Sequence, residues 1–137
     1  MVDGYSSRLR ALNSAYRIWL NASEACAYCG VVADTYDHVP NLAMVHALGR
    51  EHFEKERVSL WLVPACRECN SLLTKSADLT VTGRRASIKV KLRKRYAKLL
   101  QMPSWTEDEL DGLGRGLQDM VRSGADLKDW IKRRLAW

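Results

Sequence analysis

Two Cys-x-x-Cys knuckles, Cys26–Cys29 and Cys66–Cys69, stand 36 residues apart in this chain and constrain its fold more than any other feature. Each knuckle can place two thiolates on one ion, and two knuckles complete the closed tetrahedral site of structural zinc. Four sulfur ligands leave no open position for water, so Zn2+ in such a site holds a fold and performs no chemistry. Four ordinary buried thiols are the alternative reading, but burial alone does not generate two matching knuckles. A chain of 137 residues buries only a modest core of its own, so a metal staple carries weight. The first twenty residues, MVDGYSSRLRALNSAYRIWL, scatter arginines through any apolar stretch and do not read as a signal peptide. No apolar run approaches the roughly 20 residues a membrane-spanning helix requires. A cytoplasmic, reducing setting is therefore expected, in which paired cysteines hold metal in preference to disulfides.

Apolar periodicity sets out the remaining elements. Leu9, Leu12, Tyr16 and Trp19 or Leu20 recur at helical spacing and predict a helix over residues 6–21. Val31–Val39, rich in β-branched and aromatic residues, predicts a strand or hairpin arm, and residues 41–57 a helix broken or kinked near Gly49. Ser59–Ala65 predicts a short strand ended by Pro64. From Arg84 to Leu100 the spacing of Ile88, Leu92, Tyr96 and Leu99 or Leu100 predicts a helix, stopped by Pro103. A capping box at Ser104–Glu107 or Thr106–Glu109 starts another helix, which Gly124 is expected to divide from a last one carrying Leu127, Trp130, Ile131 and Leu135.

Charge is unevenly spread. The net charge is +6, and residues 66–102 alone hold ten basic and two acidic side chains. A basic block of this kind is the footprint of phosphate binding. Arg84, Arg85, Lys89, Lys91, Arg93, Lys94, Arg95 and Lys98 are the candidate nucleic-acid contacts, with DNA the expected partner. A solvated helix face is the plainer alternative.

Between the knuckles lies Tyr36-Asp37-His38-Val39-Pro40, and Asn70 directly follows the second knuckle. With CAYCG at 26–30, DHVP at 37–40 and LVPACRECN at 62–70, the chain resembles the HNH endonuclease family in its four-cysteine, zinc-stapled form. The resemblance covers about residues 24–75. It implies a ββα-metal site in which Asp37 and Asn70 bind a catalytic divalent metal and His38 is the general base. Mg2+ or another divalent ion would then stabilise charge developing on a DNA phosphodiester. The alternative is that Asp37 and His38 only hydrogen-bond within a zinc-ribbon-like fold. The chain departs from the family at two places. Trp61 stands where the family usually has a bracing asparagine, with Ser59 the nearest polar residue and Asn41 in the loop a substitute brace. Leu73 stands where a lysine is common, with Lys75 nearby.

The expected fold is α+β: a small zinc-stapled ββα-metal core over residues 25–80, an N-terminal helix over 1–24, and a basic helix with a helical extension over 81–137. Two function classes follow. One is a metal-dependent DNA endonuclease of the HNH type. The other is an inactive HNH-like zinc protein that binds nucleic acid through its basic surface, or a protein partner through the C-terminal helices bearing Trp105, Trp130 and Trp137.

Overall fold

The computed structural model describes residues 14–19 and 24–137. It is a mixed α+β protein built on a three-stranded sheet of order β1-β3-β2, in which β1 (Arg17–Ile18) runs parallel and β2 (Thr35–Val39) antiparallel to the central β3 (Trp61–Ala65). Seven helices follow among the described residues: α1 (Leu42–Leu48), α2 (Arg50–Lys55), α3 (Arg67–Leu72), α4 (Val81–Arg95), α5 (Ala97–Leu100), α6 (Glu107–Asp111) and α7 (Arg115–Ala136). No helix among the described residues is long and apolar enough to cross a membrane.

Strand alternation divides the interior in two. Asp37 lies opposite Val63 and Val39 opposite Trp61, and this face packs on the cysteines, Tyr28, Leu73 and the inner side of α4. His38 lies opposite Leu62, and that face meets the smaller cluster of Tyr16, Val45 and Phe53. Pro64 sits within β3 and does not end it, because its carbonyl points away from β2 and accepts the Ala27 N–H at 2.9 Å. A residue's N–H and C=O point to the same strand edge, so the missing N–H removes no bond to β2.

The local signals set several boundaries. Gly49, at φ 84°, separates α1 from α2 as expected, in a conformation that favours glycine. Thr106 and Glu109 form the capping box of α6. Asn41 caps α1 by accepting the Ala43 N–H, and its amide also donates to the Thr74 carbonyl at 2.7 Å, tying the loop after β2 to the end of α3.

Two further expectations are corrected. Residues 6–13 and 20–21 of the expected N-terminal helix lie outside the described residues, but Arg17–Ile18 is a strand. Arg17 N–H and Trp19 N–H bond the Leu60 and Leu62 carbonyls at 3.0 and 2.7 Å. The open edge of β3 supplies acceptors that helical periodicity does not reveal, and Trp19 meets Trp61 edge-to-face at 5.2 Å. Secondly, Gly124 does not divide the C-terminal helix, which runs unbroken for 22 residues; the break falls at Gly112–Gly114. A lone glycine costs a helix only about 1 kcal/mol. Here it admits a neighbour: a Cβ at Gly124 would lie 2.9 Å from the Met102 methyl.

Candidate metal centre

The first knuckle is a tight turn. Cys26 N–H bonds the Val31 carbonyl at 2.6 Å, Gly30 N–H bonds the Cys26 carbonyl at 2.9 Å, and an Ala25–Val32 bridge closes the base. Gly30 has φ 80°, and a Cβ there would strike the Trp137 ring at 2.5 Å, so glycine is required on both counts. The second knuckle opens α3: Cys66 is its N-cap, and its sulfur accepts the Cys69 N–H at 3.4 Å. β3 leads directly into Cys66, while the Ala27–Pro64 bond pins the first knuckle beside it. The four cysteines are buried, unpaired by disulfides, and their sulfurs lie within 4.8 Å of one another. Cys29 and Cys66 sulfurs are 3.7 Å apart. A tetrahedral zinc with bonds of about 2.3 Å separates its sulfurs by roughly 3.8 Å. The donor set and spacing thus fit a structural Zn2+ held by Cys26, Cys29, Cys66 and Cys69.

Crowding also sets the thiol electrostatics. Hydrogen bonding from Cys26, then Cys29's opposing influence and Cys69's support, brings Cys66 down to about 6. Bonds from Cys26, Cys66 and Cys69 hold Cys29 far below the usual thiol range, while bonding to their neighbours pushes Cys26 and Cys69 up. Thiolates so close do not all ionise unaided; a dication at their centre lets them.

Asp37 lies eight residues beyond the first knuckle, on the same face of the sheet. It is 4 % exposed, and both oxygens are engaged. Arg84 of α4 grips it bidentately, Nε to Oδ2 at 2.7 Å and Nη2 to Oδ1 at 2.8 Å, and the Tyr28 hydroxyl donates to Oδ2 at 2.6 Å. Arg84 is 1 % exposed and its remaining N–H groups reach the Leu73 and Asp78 carbonyls. Burial opposes the Arg84 charge, but the bonds and field of Asp37 outweigh it and the guanidinium pKa rises. Burial, then Asp37, pushes the Tyr28 hydroxyl up, so it remains a donor.

The neighbouring His38 projects from the opposite face of β2, half-buried, with its ring 4.9 Å from Tyr16 in a T-shaped contact. Burial lowers its pKa, against a smaller upward pull from Asp37 and with a further downward one from Arg84, so the imidazole is neutral at pH 7. Asn70, on α3, donates from its amide to Thr35 Oγ1 at 3.2 Å and to the Tyr36 carbonyl at 3.1 Å. It clamps the helix to the strand that carries Asp37 and His38. Trp61 packs against Trp19 and braces nothing polar in the described contacts.

The basic block divides between interior and surface. Arg84 is spent on Asp37; Arg85 donates to the Ala27 carbonyl at 2.9 Å, Lys91 to the Leu72 carbonyl at 2.8 Å, and Arg95 pairs with Glu68 at 3.2 Å. Lys89, Arg93, Lys94 and Lys98 make no ion pair among the described residues, and the last three are exposed. Of the C-terminal tryptophans, Trp130 lies under Arg134, Trp137 meets the first knuckle, and Trp105 is exposed. The motifs of the sequence do not mark the roles of Arg84, Tyr28 and Arg134. The available signal was a charged residue at a core position, since Arg84 shares the helical stripe of Ile88 and Leu92.

Comparison with family models, with curated proteins and with solved structures finds no match for this chain. The geometry itself defines the class: a mixed α+β protein with a buried four-cysteine cluster consistent with structural zinc.

Two outcomes follow. Elemental analysis of the purified protein should find about one zinc per chain, and Cys29→Ser should lower that content and the thermal midpoint together. Arg84→Met or Asp37→Leu alone should destabilise the fold by about 3–5 kcal/mol, each stranding a buried charge. The double variant should regain most of the loss, because the two remaining side chains are both apolar. Chemical denaturation of the three variants measures this coupling.

Proposed function

We propose that this protein is a zinc-stapled nucleic-acid-binding module on an HNH-like scaffold, in which the aspartate of the Asp-His pair serves as a structural anion. One observation carries the reading: Arg84 and Tyr28 occupy both oxygens of Asp37 inside the core. Mg2+ demands near-octahedral geometry and gives up its waters reluctantly. To take such an ion Asp37 must release Arg84, leaving a buried guanidinium unpaired at a cost of about 3–5 kcal/mol. That cost weakens metal binding by roughly a hundredfold or more.

Binding of nucleic acid rests on charge. Arg93, Lys94 and Lys98 are exposed near the C-terminal end of α4 and on α5, and Lys89 lies one turn earlier. Cations of this kind contact phosphates and position a duplex without reading its sequence.

A second reading, a divalent-metal-dependent HNH endonuclease, is favoured by a different observation. The order β2, β3, α3 is that of the ββα-metal sites the sequence resembles, and Asn70 is bonded to the strand that carries Asp37 and His38. In that reading the neutral His38 is the base that activates water, and Asp37 and Asn70 take the metal after Arg84 withdraws.

One pair of assays separates the two. Affinity for duplex DNA should fall steeply between 50 and 200 mM salt, as expected for about four phosphate contacts. Replacing Lys89, Arg93, Lys94 and Lys98 with glutamine should flatten that dependence and weaken binding to all sequences alike. A plasmid incubated with the protein in Mg2+ or Mn2+ should stay intact. Nicking that EDTA and His38→Ala both abolish would establish the endonuclease instead, and salt-independent binding would remove the nucleic-acid reading.

A further inference from the structure

Arg134 comes from the last turns of α7, yet it ends beside the second knuckle. It is 2 % exposed. Its Nη2 lies 3.9 Å from the sulfurs of both Cys66 and Cys69, its Nη1 donates to Glu68 Oε1 at 2.5 Å, and its Cζ sits 4.6 Å above the Trp130 ring. Its Nε is buried with no hydrogen-bond partner among the described residues. A buried guanidinium needs anionic company. The carboxylate it touches is shared, since Glu68 also accepts the Tyr96 hydroxyl at 2.5 Å and pairs with Arg95 at 3.2 Å. One anion therefore serves two cations, and the balance must come from elsewhere. Four thiolates around Zn2+ carry a net charge of −2, and two of those sulfurs are what Nη2 faces.

We propose that Arg134 is the outer-shell partner of the metal centre, its guanidinium balancing the thiolate charge at Cys66 and Cys69 and so making α7 part of the site. Outer-shell groups of this kind orient the ligands and tune their electron density. An N–H aimed at a thiolate draws charge from the sulfur and lowers the repulsion among the four ligands. The same attraction holds the end of α7 on the core, where Trp137 covers the turn at Gly30.

The test uses the full chain with Arg134→Met, which keeps the apolar stem without charge, and Arg134→Lys, which keeps the charge without the fork. Zinc affinity, measured by competition with a chromophoric chelator, should weaken about 10–100-fold in Arg134→Met and stay within about threefold in Arg134→Lys. If Arg134 only fills space, Arg134→Met should retain the affinity at least as well as Arg134→Lys, which would overturn the proposal. Cobalt substitution supplies a second readout from folded, metal-loaded protein. The sulfur-to-cobalt charge-transfer band should move to lower energy in Arg134→Met, because its thiolates are no longer stabilised by the N–H; superimposable spectra would overturn the proposal. Should Arg134→Met fail to fold with excess metal, Arg134→Gln, which keeps donors and loses charge, takes its place with the same expected weakening.

Discussion

Buried negative charge has to be balanced, and this fold is organised around two places where that happens. One is the four-cysteine cluster; the other is Asp37. Both lie on the same face of the sheet, and each is met by an arginine delivered from a helix far along the chain. Arg84 reaches Asp37 across 47 residues, and Arg134 reaches Cys66 across 68. Those two arginines are among the largest fully buried side chains, in company with Tyr28, Phe53 and Leu73. Apolar packing alone cannot explain them, since a buried guanidinium without its anion costs several kcal/mol. The C-terminal helices are thus bound to the small sheet by electrostatic demand as well as by Ile88, Leu92 and Ile131. Separating a zinc core from a helical extension at residue 81 would cut through both pairs.

This arrangement changes what the basic block means. A run of positive charge in sequence suggests a phosphate-binding surface, yet half of the eight candidate cations are directed inward or along the fold. Arg84 neutralises a carboxylate, Arg85 and Lys91 satisfy backbone carbonyls of the first knuckle and of α3, and Arg95 shares Glu68 with Arg134. What remains for a partner is a smaller cationic face. In the proposed reading, a face of four cations would suit modest, salt-sensitive, sequence-independent binding better than tight recognition.

The elements that were legible in the sequence are those whose cause is local. The knuckles follow from cysteine spacing, the α1–α2 break from Gly49, and the start of α6 from the Thr106–Glu109 box. The errors have one source, which is tertiary context. β1 exists because β3 leaves an edge open, and Pro64 survives in a strand because its polar edge faces the first knuckle. Gly124 looks like a helix end and is instead a recess for Met102. Asp37 and His38 were legible as a pair, but their separate environments were not. Alternation sends one toward Arg84 and the other toward Tyr16, and no local pattern announces which partner lies 47 residues away.

The claim on which the functional account turns is that Arg84 fills the place at Asp37 that a divalent cation would otherwise take. Paramagnetic broadening by Mn2+ in the NMR spectrum of the zinc-loaded protein tests it most directly, because broadening reports proximity to the ion residue by residue. Titration into the millimolar range should leave the Asp37, His38 and Asn70 signals no broader than those of other residues of the sheet. Selective broadening of those three at micromolar Mn2+ would contradict it, and would mean that Arg84 yields the carboxylate to a metal.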